Sequence, residues 1–335
     1  MSSFRLMGYG YRKITLYREN RPRPFEGFKI KKQYSFITVL IYIHIDTAVF
    51  SQDLMNQGIA NFKEQKYSEA QKVFEQTIKN DPLDAEAHYY LGLTLFEGSE
   101  AYRKAEKHLK KAVELLPNCA EYHYALGEVL GKHAQNAGVF RKMGLASSCK
   151  EEYEKAVVIE PNNVKYLEAL ARYYMYVPGI AGGSSKKAQT LAVRIKTLDP
   201  IKGHMMIVDI DMREEKYELA EIKIDSLGGV MNGNAENLEI VDRNRLENNI
   251  NRLGYIYLNE KEYKKAIELF KRNVLLFPKS YNVFDSLGEA YKENGDIELA
   301  IQNYEKAARL NPRSNEYHRN VYRDELQTIK RLKGR

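Results

Sequence analysis

Small and apolar residues return along this chain in a fixed register. Leu253-Gly254 is followed by Tyr257, Ala266, Phe270 and Pro278, and Leu287-Gly288 by Tyr291, Ala300, Tyr304, Ala307 and Pro312. Gly254 to Gly288 spans 34 residues, and so does Pro278 to Pro312. Within each half of a unit the positions fall three or four apart, as Gly254 and Tyr257 or Ala266 and Phe270 do, the interval of one helix face. Offsets kept over successive units predict an internal repeat, because a coincidental amphipathic bundle would not hold the register.

The register continues upstream. One unit carries Gly58, Ala70, Phe74 and Pro82, and the next Leu91-Gly92, Leu95, Ala105, Leu109, Ala112 and Pro117. A third carries Leu126-Gly127, Tyr153, Ala156 and Pro161, and a fourth Ala171, Tyr174, Ala188, Ala192 and Pro200. Tyr217, Ala220 and Ile224 mark a degenerate fifth around 203–229. With the two C-terminal units the total is about seven. Proline stops a helix because it lacks the N–H that would continue the ladder. Asp81-Pro82, Glu160-Pro161, Asp199-Pro200 and Asn311-Pro312 read as such stops.

The Leu-Gly-x-x-Tyr, Ala, aromatic and Pro positions resemble the tetratricopeptide repeat family, whose unit is two antiparallel helices. The resemblance implies an all-α, right-handed superhelical solenoid of about seven helix-turn-helix units with a C-terminal capping helix. The expected organisation is a basic leader at 1–51, N-terminal units at 52–229 and a connector at 230–246. Two regular units follow at 247–314, then a capping helix and basic tail at 315–335. Two of the N-terminal units are expected to carry inserted loops, at 131–146 and 177–185. The second, Val177-Pro-Gly-Ile-Ala-Gly-Gly-Ser-Ser185, also resembles segments of bacterial exported proteins of this family.

Charge changes the picture at one end only. Residues 1–52 hold nine basic and three acidic residues, and the rest hold 43 and 42. A nearly neutral body gives no general attraction to phosphate backbones, so no nucleic-acid partner is expected. In the leader, Lys29, Lys31 and Lys32 precede the apolar run Phe36–Ile45, and Val49 and Ser51 suit cleavage after Ser51. A basic stretch, a short apolar core and a small-residue exit describe an export signal, which implies a periplasmic or extracellular location. The alternative is a cytoplasmic or membrane-tethered adaptor whose N-terminal segment is not removed.

Chemistry-bearing motifs are sparse. The seven histidines include no His-Glu-x-x-His, and no Cys-x-x-Cys or Gly-x-Ser-x-Gly is present. No catalytic residue, metal ligand, cofactor or small-molecule substrate is assigned. Gly179–Gly183 lacks the Gly-Lys-Ser/Thr ending of a phosphate loop and reads as a shaped turn. His88 and His123 each lie four residues before their unit's Gly, a repeated packing position. Cys119 and Cys149 form a disulfide only if the chain is exported; two thiols are the alternative.

The resemblance puts each unit's first helix on a concave face. The positions expected there are Tyr89, Leu93 and Phe96; Tyr124 and Glu128; Arg172, Met175 and Tyr176; Asn251 and Tyr255; Asp285 and Glu289. Large rigid side chains such as Tyr and Arg anchor interfaces, so the natural partner is a peptide or protein segment. Self-association stays open. The Lys and Asn clamp of chaperone-binding relatives is absent, since its positions hold Met55, Ile59, Tyr89, Leu93, Tyr124 and Glu128.

Overall fold

Proline sets the end of the second helix in most units. Asp81, Leu116, Glu160, Asp199 and Phe277 each precede a proline, whose ring disfavours the helical conformation at the residue before it. All five leave helical φ and ψ. Their N–H groups still donate to the carbonyl four residues back, at 2.7–2.9 Å, so the last turn closes before the chain departs.

The computed structural model describes residues 52–231, 235, 237–311 and the positions 324, 327, 328 and 331. The expected leader lies outside the described residues. Of the expected capping helix only the four isolated positions lie inside, and they are helical. The chain divides into two compact units, Met1–Asp53 and Leu54–Arg335, and the helices from Leu54 onward belong to the second.

The described residues form fourteen α-helices and no strand. They are α1 (52–63), α2 (Tyr67–Asn80), α3 (Ala85–Ser99), α4 (Tyr102–Leu115), α5 (Ala120–Gln135), α6 (Val139–Ile159) and α7 (Val164–Tyr176). They continue as α8 (Ser185–Leu198), α9 (Pro200–Arg213), α10 (Tyr217–Val230), α11 (Ile240–Asn259), α12 (Tyr263–Leu276), α13 (Tyr281–Asn294) and α14 (Ile297–Leu310). A single 3-10 turn, Gly179–Ala181, separates α7 from α8. Consecutive helices pack as seven pairs in a solenoid. Among these residues no helix is long and apolar enough to cross a membrane.

Except for α7 and α8, which residues 177–184 join, each pair turns within two or three residues. Gln65, Glu100, Glu215 and Lys261 sit in the left-handed region, at φ 59, 49, 59 and 63°, and Gly295 occupies the same place at 90°. Only the last of the five is the residue that adopts this conformation without a steric cost.

Inside the pairs the motif glycine makes room for a ring. A Cβ on Gly254 would stand 2.4 Å from Phe270, and one on Gly58 would stand 2.5 Å from Phe74. The fifth pair, expected to be degenerate, is geometrically regular. Val208 and Ile224, both buried, stand where the following unit has Gly254 and Phe270. A larger residue on one helix thus accompanies a smaller one on the other.

Two differences from the expected organisation bear on function. The insertion at 131–146 is not a loop, because α5 and α6 extend to 16 and 21 residues and absorb most of it. The connector expected at 230–246 ends early, since α11 starts at Ile240.

The first helices face each other from unit to unit. α3 touches α5, α9 touches α11 and α11 touches α13, while second helices of adjacent units make no comparable contact. The first helices therefore line the inner side. α5 and α7 do not close on each other in this way. The core has two large parts, and α9 joins them. Its Met206, Ile207 and Ile210 belong to the part built on the first four units, and its Met205, Val208 and Met212 to the part built on the last three.

Candidate functional site

The gap between α5 and α7 is a cavity of about 800 Å³ on the inner side. Its wall combines regular and irregular parts of the chain. α5 supplies Tyr124 and Glu128, and α7 supplies Glu168, Arg172 and Tyr176. The lengthened start of α6 supplies Met143, Ala146 and Cys149, and the 3-10 turn supplies Ile180. Both insertions thus meet at one place.

The second insertion is tied down. Tyr173 Oη donates to the Ala181 carbonyl at 2.7 Å, and the Ser184 N–H donates to the Tyr174 carbonyl at 2.8 Å. A Cβ on Gly183 would lie 1.6 Å from the Val177 carbonyl oxygen, so only glycine fits. Large apolar side chains crowd the same end of α6 and the turn. Phe140 is 98% exposed and Ile180 83%, and Val139 and Tyr176 are exposed too. Of these, Tyr176 and Ile180 line the cavity.

The polar groups of the cavity are mostly paired with each other. Tyr153 Oη donates to Glu128. Lys165 pairs with Glu121 at 3.0 Å and lies 4.1 Å over the Tyr124 ring, which the ring's negative face favours. Arg172 pairs with Glu168 at 3.4 Å. Glu168 also accepts from Arg245 Nη1 at 3.1 Å, and Arg245 binds Asp209 with two nitrogens. Asn249 donates to the other Asp209 oxygen at 2.5 Å. This ladder joins α7, α9 and α11 across the inner face. Burial opposes the Arg245 charge, but Asp209 and Glu168 hold its pKa above the ordinary value.

Burial dominates the tyrosines and the thiol. It raises the Tyr124 phenol, with Glu128 and Glu121 adding to the effect. It pushes Cys149 up to about 12, so the group is a thiol and a poor nucleophile. Cys119 and Cys149 are both free.

The expected inner-face residues divide. Tyr124, Glu128, Arg172 and Tyr176 line the cavity. Tyr89 is half-buried, stacks on Tyr122 at 4.7 Å and donates to Glu121 at 3.2 Å. Leu93 and Phe96 pack against the core, and Met175 is buried within it. Tyr255 donates to Glu289 at 2.8 Å and meets Phe270 edge-on, while Asn251 and Asp285 are half-buried nearby along the first helices. The array holds these last four apart from the cavity. Sequence reasoning missed Met143, Cys149, Ile180, Asp209, Arg245 and Asn249. Arg245 lay in the stretch read as connector, and nothing in the spacing signalled it.

The repeated histidines close backbone ends. His88 Nε2 donates to the Pro82 carbonyl at 3.2 Å, and His123 Nε2 to the Pro117 carbonyl at 2.9 Å. His123 Nδ1 faces Glu152 at 2.5 Å, so both ring nitrogens meet acceptors, an arrangement that favours the charged ring. The Glu152 hydrogen bond accordingly raises the His123 pKa. His88 Nδ1 instead meets His108 Nδ1 at 3.0 Å. Burial, with His88 nearby, lowers His108 to about 4. Among the described residues no group of three His, Cys, Asp or Glu is placed to hold a metal ion.

Two tetratricopeptide repeat models match the chain, one at residues 55–101 and the other at 249–279 and 281–314. These stretches of the chain carry tetratricopeptide repeats. Human Superkiller complex protein 3 is 25% identical over 258 residues, and Tetratricopeptide repeat protein 37 of Xenopus laevis is 26% identical over 258. Each alignment covers 77% of this chain and 13% of the relative, so the chain spans a small part of both. A tetratricopeptide repeat protein from Parabacteroides merdae shares the fold, with TM-score 0.50 and 10% identity over 84% of this chain and 98% of that one. The human IFIT1 dimer with PPP-AAAA also scores 0.50, at 19% identity over 77% of this chain and 55% of that one. Tetratricopeptide repeats are generally scaffolds for protein interactions.

Proposed function

We propose that this tetratricopeptide repeat chain is a non-enzymatic scaffold that holds a peptide or protein segment along its inner face. The observation that carries the reading is the opening between α5 and α7, walled by both departures from the regular repeat and rimmed with exposed apolar side chains. A regular array has no structural need for either departure. The curved face of such arrays suits extended ligands.

Site-specific photocrosslinking in native cells tests this. A benzophenone amino acid in place of Tyr176 should capture a protein partner, and one in place of the outward-facing, exposed Val158 should not. Capture from Val158 alone would contradict the reading. So would a chain that bound the oligonucleotide PPP-AAAA at this face in place of any protein.

We also propose that the scaffold acts after export. The support is the basic stretch, apolar run and small-residue exit of the leader. Mapping the N-terminus of the protein from its native cells should recover a chain starting near Gln52. Recovery of Met1 would favour the cytoplasmic or tethered alternative.

A further inference from the structure

The start of α6 projects from the array. Residues 138–144 are all exposed, and the buried positions of α6 begin at Leu145. A Cβ on Gly138 or Gly144 would meet no atom within 4 Å. Val139 and Phe140 head this stretch, 76% and 98% exposed, and neither lines the cavity between α5 and α7. Helices in proteins draw most of their stability from a packed apolar face, and these two side chains have no such packing within the fold.

Cations surround the pair. From 129 to 150 the chain holds Lys132, Arg141, Lys142 and Lys150 and no acid. Gly138 and Arg141, which flank the apolar pair, line a recess of about 490 Å³ together with Arg103 and Lys104 at the start of α4. Arg103, Lys104 and Arg141 make no ion pair among the described residues. The one acid lining the recess, Glu100, accepts from the Tyr102 hydroxyl, and His133 on the same wall is paired with Glu106. Three unpaired cations there face one carboxylate, in a body that is otherwise nearly neutral.

The shape favours lipid over protein. A protein would need a matching hollow to seat a single projecting ring, whereas the headgroup and acyl boundary of a bilayer receives one without it. Basic residues beside the ring then meet negative headgroups. We propose that the edge formed by the starts of α4 and α6 docks on an anionic lipid surface. Val139 and Phe140 enter the boundary, and Arg103, Lys104 and Arg141 lie against lipid phosphates. The inner cavity stays open, so this docking does not rest on the scaffold reading.

The chain has no tryptophan, so Phe140→Trp places a single reporter at the tip. With vesicles of phosphatidylcholine and phosphatidylglycerol, the full chain should show blue-shifted indole emission that brominated acyl chains quench. Phosphatidylcholine alone should leave the emission unmoved. So should about 1 M salt, which shortens the screening length to about 3 Å. Adding Arg103→Glu and Arg141→Glu should raise the lipid concentration needed for half the shift by about tenfold or more. All three positions are exposed, so circular dichroism should show unchanged helix content. Membrane attachment through the leader alone would leave the indole in water and overturn the proposal. An equal shift with phosphatidylcholine alone, or one indifferent to the two charge reversals, would overturn it too. So would a benzophenone amino acid in place of Phe140 that captures a protein while no vesicle moves the emission. Each of these outcomes leaves capture at Tyr176, and with it the scaffold reading, untouched.

Discussion

Gly254 and Phe270 show how one repeat position constrains another. A Cβ at 254 meets the ring at 2.4 Å, so Gly254→Val overpacks the pair and should cost about 1–3 kcal/mol. The fifth unit holds Val208 and Ile224 at these places without distortion. Gly254→Val with Phe270→Ile should therefore be more stable than Gly254→Val alone, in urea unfolding followed by circular dichroism. A double variant no better than the single would refute this pairing. The histidines give opposite pH signatures. The raised His123 pKa gives stability that is fully present below the unfolded value of 6.5 and fades as pH rises through the folded value. The lowered His108 pKa means the unfolded chain takes up its proton first, so stability falls from about pH 6.5 towards pH 4. His123→Gln should thus cost more at pH 5.5 than at pH 9. His108→Gln should gain relative to the parent at pH 4.5 compared with pH 7.5. Urea midpoints at these values check both.

At the scale of elements, α9 and α11 are tied to α7 by Arg245. Its side chain is nearly buried, as are those of Asp209 and Glu168. Arg245→Ala leaves Asp209 with Asn249 and no counter-charge, and Glu168 with Arg172 alone, and should destabilise by up to about 3–5 kcal/mol, the usual cost of breaking a buried pair. Lysine offers one point charge where two nitrogens now grip Asp209, so Arg245→Lys should recover only part of this. Denaturant titration of the three proteins measures it, and an unchanged Arg245→Ala midpoint would contradict the ladder. The same elements show what the sequence reveals and what it hides. Proline stops and glycine-aromatic pairs are local and repeat at a fixed interval, so most helix pairs are legible. The fifth pair was obscured because Val208 and Ile224 exchange bulk between helices and erase the Gly signature. The cavity was half legible. Tyr124, Glu128, Arg172 and Tyr176 follow from repeat register, but Glu168 meets Arg245 across 77 positions of sequence. No spacing rule reports such a contact. The α6 extension was visible as extra residues, yet composition alone did not distinguish two more helical turns from a loop.

At the scale of the whole molecule, the array supplies reach and its irregularities supply choice. Most contacts run between neighbouring units, so stability builds largely from local interfaces, and the Arg245–Glu168 pair reaches across one unit. α9, shared by both large parts of the core, carries coupling between the first four units and the last three. A segment lying on the inner face would touch successive first helices and leave the second helices bare. Hydrogen exchange on the full chain, with and without a saturating amount of the partner captured at Tyr176, tests this most directly. The account expects slowed exchange in the start of α6, in α7 and in the 177–184 segment, extending into α9 or α11, with α2, α4, α10 and α12 unchanged. Protection confined to those second helices, with α7 and the 177–184 segment unaffected, would contradict the claim that the inner face holds the partner.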